Sequence, residues 1–213
     1  MNNRPKILLI NGSPHQFGCT YTALKVVAAS LDKNGVDTDF FWIGNKPVAG
    51  CIACKSCVET HRCVQDDIVN SFLDIVDNYD GFVFGSPVYF ASATGAFTAF
   101  LDRAFYSGIY RTGRLVGKPA ACVVSCRRAG SSAALDQLNK YVTISGMLLV
   151  SAKYWNMVHG NTPEEVLQDL EGLQTMRNLG RNMAWILRCI EAGKKAGFDV
   201  PISEYGAKTN FIR

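Results

Sequence analysis

The stretch Lys6-Ile7-Leu8-Leu9-Ile10-Asn11-Gly12-Ser13-Pro14 decides the fold. Ile7 to Ile10 form an unbroken apolar run, and Asn11-Gly12-Ser13-Pro14 closes it with turn residues. A short run with no polar face suits a strand covered on both sides, as in a parallel sheet. Further along, Leu24, Val27, Ala28 and Leu31 repeat at helical spacing between about Thr20 and Asn34, where Asn34-Gly35 stops the helix. Val36 to Ile43 reads as a second strand, and the alternation in its first half places it at a sheet edge.

The same alternation continues to the end of the chain. A long loop runs from about Gly44 to Gln65, and Asp66-Asp67 offers an N-cap to a helix carrying Ile68, Phe72, Ile75 and Val76 on one face. Gly81 to Phe84 and Ala120 to Val124 are further buried strands, and Met147 to Val150 starts a fifth. Helices are expected over Ala93–Tyr106 and Ser131–Ser145. Thr162-Pro163-Glu164-Glu165 is a capping box with proline at the first helical position. It opens a long helix reaching Glu191, which Gly172 and Gly180 weaken. The last twenty residues are expected to pack through Phe198, Ile202, Tyr205 and Phe211.

Strands alternating with helices, without repeats or a linker, make an α/β sandwich: a parallel sheet with helices on both faces. The chain of 213 residues is therefore read as one domain, 1–213, with a C-terminal helical extension from about 162. Its 48% hydrophobic and 19% charged residues support a packed core and exclude disorder over most of the length. No apolar run reaches the ~18 residues that span a bilayer, and the N-terminal run is too short for a signal peptide. The expectation is a cytoplasmic protein without a membrane partner. A net charge of +4, with basic residues scattered, lacks the concentrated basic face of a nucleic-acid binder.

Ligands of such sheets sit at the carboxyl ends of the strands, so function is sought in the loops there. The loop after the first strand, Asn11 to Thr20, leads into a helix N-terminus, whose free N–H groups and partial positive charge favour an anion. Ser13 and Thr20 add hydroxyls, and Gln16, Gly18 and Cys19 complete the candidate cradle. Without the lysine of a P-loop or the Gly-x-Gly-x-x-Gly fingerprint, it suits a monophosphate. After the third strand, Tyr89 and Phe90 stand where packing does not demand aromatics, as cover for a flat ligand.

Eight cysteines are many for such a chain, and four of them make the pattern Cys51-x2-Cys54-x2-Cys57-x5-Cys63. With no secretory signal, metal, iron–sulfur or redox chemistry is the stronger reading over disulfides. Four thiolates accept zinc as well as an iron–sulfur centre, or stay as free thiols.

Gly12-Ser13-Pro14, Gly18-x-Thr20, Gly85-Ser86-Pro87-Val88-Tyr89 and Leu101-Asp102-Arg103, in that order, resemble the NADPH-dependent FMN reductase family over about residues 6 to 155. The resemblance implies a flavodoxin-like fold with a five-stranded parallel sheet of order 2-1-3-4-5. It implies FMN, with its phosphate at Ser13, Gly18 and Thr20 and its ring against Pro87, Val88, Tyr89 and Phe90. His15 and Cys19 depart from the arginine and asparagine usual at those positions. The loop after strand 4, with Ser125 and Arg127, reaches the flavin's other edge in that family. The cysteine spacing is similar to that of the iron–sulfur flavoproteins, a branch in which Cys51, Cys54, Cys57 and Cys63 would hold a [4Fe-4S] centre. The function implied is hydride transfer from NAD(P)H to FMN, with electrons passed to an acceptor. The alternative is an electron carrier fed by ferredoxin. A homodimer or homotetramer is expected, with Tyr106, Tyr110 and Trp155 in the contact.

Overall fold

The computed structural model describes residues 4–110, 112–204 and 209. Six parallel strands follow β1 (Lys6–Asn11), β2 (Asp37–Trp42), β3 (Gly81–Pro87), β4 (Pro119–Cys126), β5 (Leu148–Leu149) and β6 (Met157–His159). The order is β2-β1-β3-β4-β5, with β6 also paired to β4. This is the doubly wound, flavodoxin-like arrangement, with β2 at one edge as its alternation predicts.

The apolar runs divide by the period of two along each strand. Leu8, Ile10, Phe82, Phe84, Cys122 and Val124 face one layer of helices. That layer contains α3 (Ile68–Leu73), α4 (Gly95–Ala104) and α5 (Ser131–Ile144). Ile7, Leu9, Val83, Ala121 and Val123 face the other layer, with α1 (Cys19–Lys33) and α7 (Leu170–Lys195). Short helices α2 (Cys57–Thr60) and α6 (Pro163–Val166) complete the set, and α4 runs on as a π-helical turn over Phe105–Ile109.

Three expectations need correction. The fifth strand is split. β5 pairs with Pro119 and Ala120, the chain leaves the sheet, and β6 returns to pair with Val124, Ser125 and Cys126. The C-terminal helix breaks before its glycines rather than at them: α6 ends at Val166, and Asp169 then caps α7 by accepting from the Gly172 N–H. The glycines serve close approach. A Cβ on Gly180 would stand 2.6 Å from Ser30 Cβ, where α7 crosses α1. Finally, Phe198 and Ile202 are exposed rather than packed, and Tyr205 and Phe211 lie outside the described residues. Among the described residues no helix is long and apolar enough to cross a membrane.

Candidate functional site

The loop between β1 and α1 is built around Asn11, which is 1% exposed. Its Oδ1 accepts from the Ser13 N–H at 3.0 Å and its Nδ2 donates to the Gln16 carbonyl at 2.9 Å. Both ends of the loop are thus tied to one side chain on the last residue of a buried strand. Trp42, at the end of β2, donates from Nε1 to the Ser13 carbonyl at 2.8 Å. Ser13 Oγ accepts from the His15 N–H. The result is a rigid turn that delivers the chain to the start of α1.

Of the helices with six or more residues, α3, α4 and α7 begin with a side chain accepting from the first turn, while α1 and α5 do not. The N-cap of α1 is Gly18, and its first turn holds no acidic residue. A helix start with no cap of its own leaves N–H donors for water or an anion.

That start faces a cavity of about 750 Å³ at the carboxyl ends of the strands. The cavity gathers Ser13, Gln16, Gly18, Cys19 and Thr20 from the first loop, Pro87, Val88 and Tyr89 from the end of β3, and Ser125 and Arg127 from the end of β4. Thr20 and Ser125 are both buried, and their hydroxyls are 2.8 Å apart, joining the first loop to β4. Burial holds the Cys19 thiol above its usual range, so it remains a neutral, weak donor at pH 7.

Phe90 is the exception. It does not border the cavity; with φ +52° it stands fully exposed in a tight turn whose ends, Tyr89 and Ser92, bond each other. Two stretches around the cavity carry no local sequence signal of a binding site. Trp42 and Asn45 arrive from the second strand and its loop, and Gly160 to Pro163 arrive because β6 rejoins the sheet.

The four cysteines of the long loop border a second, small cavity with Arg103 and Tyr106. Its volume of about 20 Å³ is roughly that of one water. Cys57 is buried at the start of α2, Cys63 is half-buried, and Cys51 and Cys54 are exposed. On either side of Cys54, Ala53 and Lys55 have φ of +53° and +63°. Left-handed residues at alternate positions favour nests of backbone N–H groups, which cradle anions and iron–sulfur centres. Hydrogen bonds from the Ser56 hydroxyl and backbone hold the Cys54 thiol below its usual range.

Among the described residues no three Cys, His, Asp or Glu side chains converge to hold one ion. A single tetrahedral ion at ~2.3 Å from each sulfur needs thiolates about 3.8 Å apart. A cubane takes one thiolate at each iron corner and spaces them more widely. Four thiols in one loop are a donor set that either group takes. His61, in the same loop, is exposed and does not border the cavity. Among the described residues none borders both cavities.

The sequence profile of the NADPH-dependent FMN reductases matches residues 5–162. An iron-sulfur flavoprotein of Methanocaldococcus jannaschii is 28% identical over 193 residues, 87% of this chain and 99% of that protein. An iron-sulfur flavoprotein of Clostridioides difficile is 33% identical over 143 residues, 66% of this chain and 62% of that protein. Among solved structures, RosB with bound 8-demethyl-8-formylriboflavin-5'-phosphate superposes with a TM-score of 0.68 at 16% identity, covering 98% of this chain and 94% of that one.

Proposed function

The chain belongs to the NADPH-dependent FMN reductase family, and from that premise we propose that it takes hydride from NAD(P)H onto FMN and passes electrons to a small-molecule or protein acceptor. A quinone, a flavin, iron or an iron–sulfur centre are the acceptor classes that this chemistry serves. The observation that carries the reading is the cavity at the strand ends, where the uncapped start of α1 and the Pro87-Val88-Tyr89 wall meet. FMN, when bound, supplies the hydride chemistry itself, so no side-chain acid or base is required.

The protein's part is to bind and orient. Ser13, Gln16, Gly18, Cys19 and Thr20 hold the phosphate against the helix start, and Pro87, Val88 and Tyr89 give the ring a backbone and aromatic wall. Ser125 and Arg127 border the same cavity and would hold its other edge, where the guanidinium would offset negative charge on a bound cofactor. Heat-released cofactor is expected to run as FMN on chromatography, and an FAD peak overturns the assignment. Thr20→Val removes a hydroxyl from the cradle and leaves Ser125 without its partner. We expect flavin binding to weaken by about 1–3 kcal/mol. An unchanged dissociation constant would place the phosphate elsewhere.

A second reading, an electron carrier fed by ferredoxin with no nicotinamide site, is favoured by the thiol cavity and by the names of the relatives. In it Cys51, Cys54, Cys57 and Cys63 hold a [4Fe-4S] centre that supplies one-electron chemistry. Anaerobic stopped-flow mixing separates the two: a reductase bleaches with NADH or NADPH, whereas a carrier bleaches with neither and responds to reduced ferredoxin.

The exposed rings of Tyr106, Tyr110 and Trp155 support assembly as a homodimer or homotetramer. Sedimentation at micromolar concentration is expected to give more than one chain per particle; a monomer refutes it.

A further inference from the structure

Arg103, from the Leu101-Asp102-Arg103 motif on α4, lies in neither strand end nor flavin cradle, and it is among the largest fully buried side chains. A guanidinium has five N–H donors, and the bonds of this one come to the same number. NH1 donates to the Ala49 carbonyl at 3.2 Å and Asp67 Oδ2 at 2.7 Å. NH2 donates to the Gln65 carbonyl at 2.8 Å and Asp67 Oδ1 at 2.9 Å. The remaining donor, Nε–H, goes to Cys63 Sγ at 3.2 Å.

Four of these bonds explain why the loop holds its shape. They fasten its beginning at Ala49 and its end at Gln65 and Asp67 to one helix, and Asp67 in turn caps α3. The fifth is different, because a neutral thiol is a weak acceptor and a thiolate a strong one. A buried guanidinium N–H aimed at this sulfur would hold a ligand thiolate more strongly than a thiol.

We propose that Arg103 is a positioning residue for the cysteine centre: its Nε–H fixes Cys63 Sγ as the inner ligand and raises the centre's reduction potential. The inference rests on the reading of the four cysteines as ligands of a [4Fe-4S] centre. A hydrogen-bond donor on a ligand sulfur, itself positively charged, favours the state with the extra electron, and burial strengthens the effect. Lysine keeps the charge but has no planar fork with which to hold Asp67, two carbonyls and a sulfur together.

The test uses the full chain, reconstituted anaerobically with iron and sulfide. Wild type, Arg103→Lys and Asp67→Asn are compared by iron content and by redox titration of the cluster. Pulsed EPR is recorded on reduced wild-type protein grown with 15N-arginine. Asp67→Asn disturbs the fastening of the loop, leaves the Nε–Cys63 contact and removes the carboxylate that offsets the guanidinium charge, so its potential is expected to stay at or above that of the wild type. Arg103→Lys is expected to shift the electron-partition constant at least tenfold toward the oxidised state, 59 mV for one electron. The labelled wild type is expected to show a 15N coupling to the cluster. Where Arg103→Lys does not fold or hold iron, that wild-type coupling decides the matter. Absence of the coupling, an unchanged potential in Arg103→Lys, or equal shifts in both variants overturns the inference. Wild-type protein that takes up no iron overturns the cluster reading, and this inference with it, before any variant is made.

Discussion

Cys54→Ala protein, reconstituted anaerobically and desalted, is expected to retain no cluster, while the wild type retains about four irons per chain. Flavin should stay bound in both, because the thiol cavity and the strand-end cavity share no residue. Cys54 is the informative ligand to remove because its side chain is exposed, so its loss leaves the packing of the loop intact. Cys57 is buried at the start of α2, and replacing it would confuse loss of a ligand with loss of structure. The cluster reading also requires a slower one-electron rate in the variant. Should the loop instead carry free thiols, the variant will keep full reductase activity and wild-type protein will lose its iron on desalting.

Gly12→Ala is expected to cost about 1–3 kcal/mol of stability, the usual range for overpacking, and to weaken flavin binding as well. The added Cβ would fall 2.3 to 2.6 Å from ring atoms of Phe97. That ring has no room to retreat, being fully buried and stacked on Phe100 at 6.0 Å between centroids. Nor can the backbone of Gly12 withdraw. Its N–H donates to the Gly85 carbonyl at 2.8 Å, and its carbonyl accepts from the Thr94 hydroxyl at 3.1 Å. Strain at Gly12 passes directly to Ser13, the next residue and the first of the cradle. Chemical denaturation and a flavin titration of the same variant measure the two effects. Wild-type stability would mean that the α4 packing is looser than these distances imply.

The elements that could be read from sequence were those with a strong local pattern. The run Ile7–Ile10, the helical spacing from Leu24 to Leu31 and the stop at Asn34-Gly35 each carry their own signal, and all three lie where they were expected. Thr162 and Asp67 act as caps because a side-chain oxygen just before a helix accepts from a free N–H of its first turn. The misplaced features depend on partners distant in sequence. β6 is three residues long and exists because the upper edge of β4 has donors and acceptors left over beyond β5. Nothing in Met157-Val158-His159 itself announces a strand, so the approach of Gly160 to Pro163 to the cavity was hidden too. Phe90 stands apart for another reason. An aromatic beside a binding wall looks like part of it, but the turn from Tyr89 to Ser92 puts its backbone in the left-handed region and its ring in solvent. Arg103 was noticed as part of a motif, but its connection to Cys63, 40 residues away, is visible only in three dimensions.

The start of α1 has a thermodynamic consequence. No side chain caps the first turn of α1, and the fold forgoes the ~1 kcal/mol that a serine or aspartate cap contributes. An anion seated there binds the native chain and has no equivalent site on the unfolded one, so its binding free energy is added to the stability of the fold. At a free ligand concentration one hundred times the dissociation constant, the gain is about 2.7 kcal/mol. The melting temperature is therefore expected to rise with the concentration of such a ligand. A cell short of the ligand would hold a larger unfolded fraction of the chain, and proteolysis would clear it faster.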